Sequence, residues 1–95
     1  MAYVKYYRLT APVGEGRALR DAVDALLVRV RPLAGCQAVE LLNDASNADA
    51  FVLLERWITV EAHKEGGRVL GKEAFAPVMA ALGSPAETAS LFTLD

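Results

Sequence analysis

The hydrophobic pattern of the chain changes period along its length. Tyr3 to Thr10 is rich in aromatic and β-branched residues, with Tyr3, Lys5, Tyr7 and Leu9 on one side and Val4, Tyr6, Arg8 and Thr10 on the other. This predicts a strand that ends at Ala11-Pro12 and a loop carrying Gly14 and Gly16. From Arg17 to about Leu33 the period becomes helical. Leu19, Ala22, Val23, Leu26, Leu27 and Val30 form one stripe, while Arg17, Arg20, Asp21, Asp24 and Arg31 fall outside it. Pro32 and Gly35 close that helix.

Cys36 to Leu42 reads as a second strand, residues 43–49 as a polar turn, and Phe51 to Ile58 as a third strand. Two strands joined by a polar loop are expected to pair as an antiparallel hairpin. Thr59 is placed to cap a helix that begins at Val60, with Glu61 favourable in its first turn. That helix is expected to break or bend at Gly66-Gly67 and to resume from about Val69 to Leu82. Its apolar stripe is Phe75, Val78, Met79 and Leu82, and Pro77 kinks it unless proline sits in a first turn. Gly83-Ser84-Pro85 ends it, and Ala89 to Leu94 is a last strand.

The order β-α-β-β-α-β, with the second helix split, predicts an α+β ferredoxin-like sandwich. Four antiparallel strands carry both helices on one face. Val52, Leu54 and Ile58 are expected on one side of the third strand and Phe51, Leu53 and Trp57 on the other. Large apolar groups on both sides call for cover on both, and one chain has no spare element for the second. The expected solution is a homodimer whose sheets pack face to face.

Composition narrows the partners. The 95 residues make one domain, 1–95. Ten Lys+Arg against twelve Asp+Glu give a net charge of −2, which leaves no positive excess to hold a phosphate backbone, so no nucleic-acid partner is expected. A single cysteine, Cys36, rules out an internal disulfide framework and suits a reducing cytoplasm. No secretory signal and no run of about 18 uncharged apolar residues is present, so no membrane partner is expected. One His and one Cys predict no metal centre. Gly14-Glu15-Gly16 lacks the remainder of a phosphate loop, and Pro85 directly after Ser84 excludes a nucleophile elbow. An enzyme built from these residues needs a substrate that supplies its own electrons.

Phe51-Val52-Leu53-Leu54-Glu55-Arg56-Trp57-Ile58-Thr59-Val60-Glu61-Ala62 is a strand ending Glu-x-Trp, then a capping Thr with Ala three residues later. This stretch resembles the antibiotic biosynthesis monooxygenase family. The turn Pro32-Leu33-Ala34-Gly35-Cys36 resembles the Pro-Gly-Cys approach to that family's second strand, and Phe75 matches its aromatic position in the second helical region. The resemblance implies a ferredoxin-like protomer in a dimeric α+β barrel, with a pocket between sheet and helices. It also implies cofactor-independent oxidation of hydroquinones, anthrones or related polyketide aromatics. Two histidines that family members often carry, seven residues after the capping position and five further on, fall on Gly66 and Gly71. The only histidine here is His63. The family's haem-degrading branch matches less well: its asparagine falls on Tyr7, its tryptophan on Gly66 and its axial histidine near Ala76. No cofactor is therefore expected.

Six residues are candidates for the chemistry. Trp57 can wall the pocket and donate its indole N–H to a substrate oxygen, or be a core aromatic with that N–H satisfied internally. His63 can accept a proton near neutrality, or be a half-exposed helix residue. Tyr7 can hydrogen-bond an oxyanion, or pack with a hydrated hydroxyl. Glu55, on the Trp57 face, can accept a proton if burial raises its pKa, or pair with Lys5 across the sheet. Tyr3 and Phe75 are candidates for substrate contact. The expected function is oxidation of a small aromatic substrate; the alternative is a non-catalytic dimer that binds or senses small apolar molecules.

Overall fold

The computed structural model describes residues 1–94. The element order is β1 (Tyr3–Thr10), α1 (Gly16–Val30), β2 (Cys36–Asp44), β3 (Asn47–Trp57), α2 (Val60–Leu70), a 3-10 turn (Lys72–Phe75), α3 (Ala76–Ala81) and β4 (Glu87–Phe92). The four strands form one antiparallel sheet in the order β2-β3-β1-β4, which is the ferredoxin-like arrangement.

The alternation in β1 and β3 decides which face the helices cover. Tyr3, Leu9, Phe51, Leu53, Glu55 and Trp57 are buried on the helix side. The stripe Leu19, Val23, Leu26, Leu27 and Val30 of α1 packs down onto them. β2 keeps its place by a bulge at Gln37: Cys36 pairs with Trp57 and Ala38 with Arg56. The extra residue resets the alternation, so that Cys36, Val39 and Leu41 all reach the core. On the other side Val4, Tyr6, Val52 and Leu54 are only half-buried, and Leu42 and Leu91 are 44 % and 46 % exposed. Ile58, expected on that outer side, lies past the end of β3 beside Gly35.

Several boundaries differ from the sequence expectation. The segment 43–49 is mostly strand, because its polar side chains serve the hairpin itself. Asp44 accepts from Ser46 N at 2.8 Å, Asn43 donates to Ala50 O at 2.8 Å, and Asn47 accepts from Asp49 N at 3.0 Å. Only Ala45 and Ser46 remain between the strands. Asp49 reaches further and accepts from Gly14 N and Gly16 N, each at 2.9 Å, so the start of α1 is capped by a strand residue. α1 ends at Val30, three residues earlier than the periodicity suggests, and β4 begins two residues earlier.

The second helical region divides at Gly71, whose φ of +78° suits glycine, and not at Gly66-Gly67. α2 runs straight through that pair from its cap, where Thr59 Oγ1 accepts from Ala62 N at 3.0 Å. Gly66 has a packing role. A Cβ built there would stand 2.7 Å from Trp57 Cη2, so only glycine lets the indole approach the helix backbone. Pro77 falls in the first turn of α3 and kinks nothing.

Gly66→Ala is therefore expected to destabilise by about 1–3 kcal/mol through overpacking. Thermal unfolding should show a fall in Tm of about 4–8 °C per kcal/mol lost. Gly67→Ala, with no neighbour within 4 Å of its new Cβ, should raise Tm instead. Equal shifts in the two variants would contradict the role given to the Trp57–Gly66 contact.

Candidate functional site

Five of the six candidate side chains form one connected cluster on the helix side of the sheet. Tyr3 and Tyr7 come from β1, Glu55 and Trp57 from β3, and His63 from the second turn of α2. Antiparallel register sets Tyr3 opposite Trp57 and Tyr7 opposite Leu53, so Glu55 is the diagonal neighbour of Tyr7. His63 precedes Gly66 by one turn, and the seating of α2 on Trp57 brings its ring over the sheet. Its centroid lies 5.5 Å from the Trp57 ring in an edge-on arrangement and 5.4 Å from that of Tyr3.

Glu55 is the polar centre and is 5 % exposed. Its Oε1 accepts the Trp57 indole N–H at 3.3 Å. The Tyr7 hydroxyl lies 3.4 Å from His63 Nε2 and interacts electrostatically with the Glu55 carboxyl. His63 Nε2 stands 3.9 Å from Glu55 Oε1. Lys5, opposite Glu55 in register, donates to Ser90 Oγ at 3.2 Å and acts on Glu55 by its field. The Tyr3 hydroxyl also donates to Ser90 Oγ, at 2.9 Å, so Tyr3 offers only its ring to the site.

Burial sets the protonation states. Desolvation pushes the Glu55 carboxyl up, against the lowering effect of its bond to Trp57 and of Tyr7 and Lys5. Desolvation pushes the His63 imidazole down, and the Lys5 charge adds to that. Tyr7 is held well above the usual phenol range by burial and by the Glu55 charge, so it remains a hydrogen-bond donor. Burial thus penalises the charged form of each group: Tyr7 stays a donor, neutral imidazole is a proton acceptor, and the Glu55 carboxylate gains proton affinity.

Two cavities meet at this cluster. One, of about 20 Å³, is bounded by Tyr7, Glu55, Trp57, His63, Gly66 and Gly67 together with Val30, Leu33, Leu70 and Phe75. The other is an apolar chamber of about 240 Å³ under α1 and α3, with Val23, Leu26, Leu53, Val78 and Leu82 in its wall. Tyr7, Glu55 and Phe75 belong to both. The chamber thus has apolar sides and one polar end, a form suited to a small, largely aromatic ligand bearing a hydroxyl or carbonyl. Its volume lies below the roughly 300–1,000 Å³ of drug-sized sites. Trp57 borders the small cavity and not the chamber, and its N–H is engaged by Glu55.

The chamber wall was visible in the sequence only as core stripe. Among the described residues no group of three or more His, Cys, Asp and Glu side chains is placed to hold a metal ion. Nor is any helix among them long and apolar enough to cross a membrane.

The fold and this chamber define a small ferredoxin-like domain with an apolar cavity between sheet and helices. The sequence model of the antibiotic biosynthesis monooxygenase family matches residues 2–65, and the chain belongs to that family. No curated protein matches it. Among solved structures, Rv0793 from Mycobacterium tuberculosis is 26 % identical, with a TM-score of 0.84 over 100 % of this chain and 97 % of that one. PA3566 from Pseudomonas aeruginosa is 24 % identical, with a TM-score of 0.82 over 99 % and 95 %. SnoaB, a cofactor-independent oxygenase from Streptomyces nogalater, shares the fold at 14 % identity, with a TM-score of 0.80 over 99 % and 94 %.

The electrostatics give a signed prediction. An acid whose pKa is raised by folding is favoured protonated in the native state, so its contribution to stability is lost as pH rises from the ordinary carboxylate value through the raised one. Glu55→Gln keeps an acceptor for the Trp57 N–H and removes that titration. The difference in Tm, variant minus parent, should be smallest near pH 4 and grow more positive toward pH 8. A difference independent of pH would show that Glu55 is not desolvated as described.

Proposed function

We propose that the chain is a cofactor-independent monooxygenase acting on a small hydroxylated aromatic such as a hydroquinone, an anthrone or a related polyketide. The observation that carries this reading is the convergence of Tyr7 and Glu55 at the polar end of an otherwise apolar chamber, with His63 beside them in the wall of the adjoining small cavity. Family membership and the shared fold of SnoaB support it.

Tyr7 and Glu55 face the chamber, with His63 behind them. A substrate hydroxyl at the polar end gives its proton to Glu55, whose affinity for it is raised by burial. His63 backs that acceptor, and Tyr7 donates a hydrogen bond to the resulting oxyanion. The electron-rich anion reduces dioxygen directly. For a methylene carbon of the ring system the balance is CH2 + O2 → C=O + H2O: one oxygen atom enters the substrate, the other leaves as water with both hydrogens, and no outside reductant is consumed. Exclusion of water by the apolar walls strengthens each of these contacts. Phe75, in the wall of both cavities, packs against the substrate ring. Trp57 positions Glu55 through its N–H, and Tyr3 positions His63 through its ring.

Purified protein should raise oxygen uptake with a panel of reduced quinones and anthrones above autoxidation at the same pH. Glu55→Gln should lower turnover by about 10²–10⁴-fold, the usual contribution of a general base. His63→Ala should also lose rate. The second reading, a non-catalytic binder, draws on Gly66 and Gly71 standing where family members often carry histidine. It predicts no uptake across the panel, while quenching of Trp57 fluorescence by apolar ligands survives in His63→Ala.

The proposal includes a homodimer. Val4, Tyr6, Leu42, Val52, Leu54 and Leu91 form an apolar outer sheet face that no element among the described residues covers, and a second copy laid sheet to sheet would bury it. Light scattering at micromolar concentration should give about twice 10.2 kDa, and a 10.2 kDa species would exclude the dimer.

A further inference from the structure

A glycine inside a helix costs about 1 kcal/mol against alanine, and α2 carries two in succession. Gly66 is explained by the indole lying against it. Gly67 has no such reason, since a Cβ there would meet nothing within 4 Å. Gly67 is also the one exposed residue in the wall of the small cavity. That cavity, at about 20 Å³, exceeds the roughly 10–15 Å³ that one water requires. Tyr7, Glu55 and His63 in its wall supply the two to four polar partners that a buried water takes. No organic ligand fits in it.

We propose that this cavity is a binding site for a single water molecule beside Glu55 and His63, and that Gly67 keeps a portal open between it and solvent. Its role in turnover rests on the oxygenase reading, in which each cycle forms one water. In the last step the base removes the C–H proton of the substrate hydroperoxide. The C–H electron pair becomes the second bond of C=O, the O–O bond breaks, and the departing hydroxide takes the proton back from the same group. The water so formed leaves through the small cavity, while the organic product still fills the apolar chamber.

The test uses the single tryptophan, which lines the cavity and whose indole N–H, bonded to Glu55, gives one resolved resonance. Its exchange with deuterated solvent is measured in the parent protein, Gly67→Ala and Gly67→Val. Helix propensity favours Ala over Val over Gly, so exchange through local unfolding would be slowest in Gly67→Ala. A portal is narrowed most by the larger side chain, so the proposal requires exchange slowest in Gly67→Val. The expected slowing in Gly67→Val is about tenfold or more beyond any change at the Leu53 amide, which measures global opening. Slowest exchange in Gly67→Ala overturns the portal. A crystal structure of the parent should hold a water bonded to Glu55 or His63, and a dry cavity overturns the site. Turnover should fall in Gly67→Val with substrate affinity retained, and unchanged turnover overturns the release role. Failure of the parent to take up oxygen would overturn the oxygenase reading and with it the release role, while the exchange order and the bound water still decide the site and its portal.

Discussion

Trp57 is wedged between β3 and α2, its ring so close to the helix that a Cβ on Gly66 would stand 2.7 Å from Cη2. That contact seats α2 on the sheet. His63, one turn before Gly66, is thereby laid over Tyr3 and Trp57 with Nε2 turned toward Tyr7 and Glu55. The same indole directs its N–H to the Glu55 carboxylate. Packing and chemistry are joined at one side chain, and moving the helix would disperse the polar cluster.

Desolvation governs the cluster once it is assembled. Glu55 and His63 are both pushed toward neutrality, and Tyr7 is kept protonated. Burial penalises the charged forms most, so a Glu55 carboxylate held beside an apolar chamber has a heightened affinity for a proton. A substrate hydroxyl that gives its proton to Glu55 neutralises the carboxylate and leaves the negative charge on an electron-rich ring. This fits chemistry in which the substrate reduces oxygen and the protein supplies orientation, a proton acceptor and a dry enclosure.

The vacant family positions acquire a physical reading in the same frame. A side chain at Gly66 would occupy the space of the indole, so a histidine cannot stand there while Trp57 keeps its place. His63 reaches the site from the preceding turn. Gly71 ends α2 with a positive φ and lets the chain turn into the segment that roofs the chamber with Phe75 and Val78.

The sequence by itself determined whatever depends on local periodicity. Period two in Tyr3–Thr10 and Phe51–Trp57 placed Tyr3, Tyr7, Glu55 and Trp57 on one face, and period 3.6 gave the buried stripe of α1. The element order then implied the sheet topology. Tertiary structure alone decided the rest, because each remaining feature is a contact between segments distant along the chain. Asp49 caps α1 from another element, and the bulge at Gln37 answers to Trp57 and Arg56 across the hairpin. Glycine propensity suggested a break at Gly66-Gly67, whereas the indole packed against Gly66 and the cap at Thr59 carry α2 through to Leu70. The neighbours of Glu55 were legible as residue types, but its burial, and so its proton affinity, existed only once β1, β3 and α2 had closed around it.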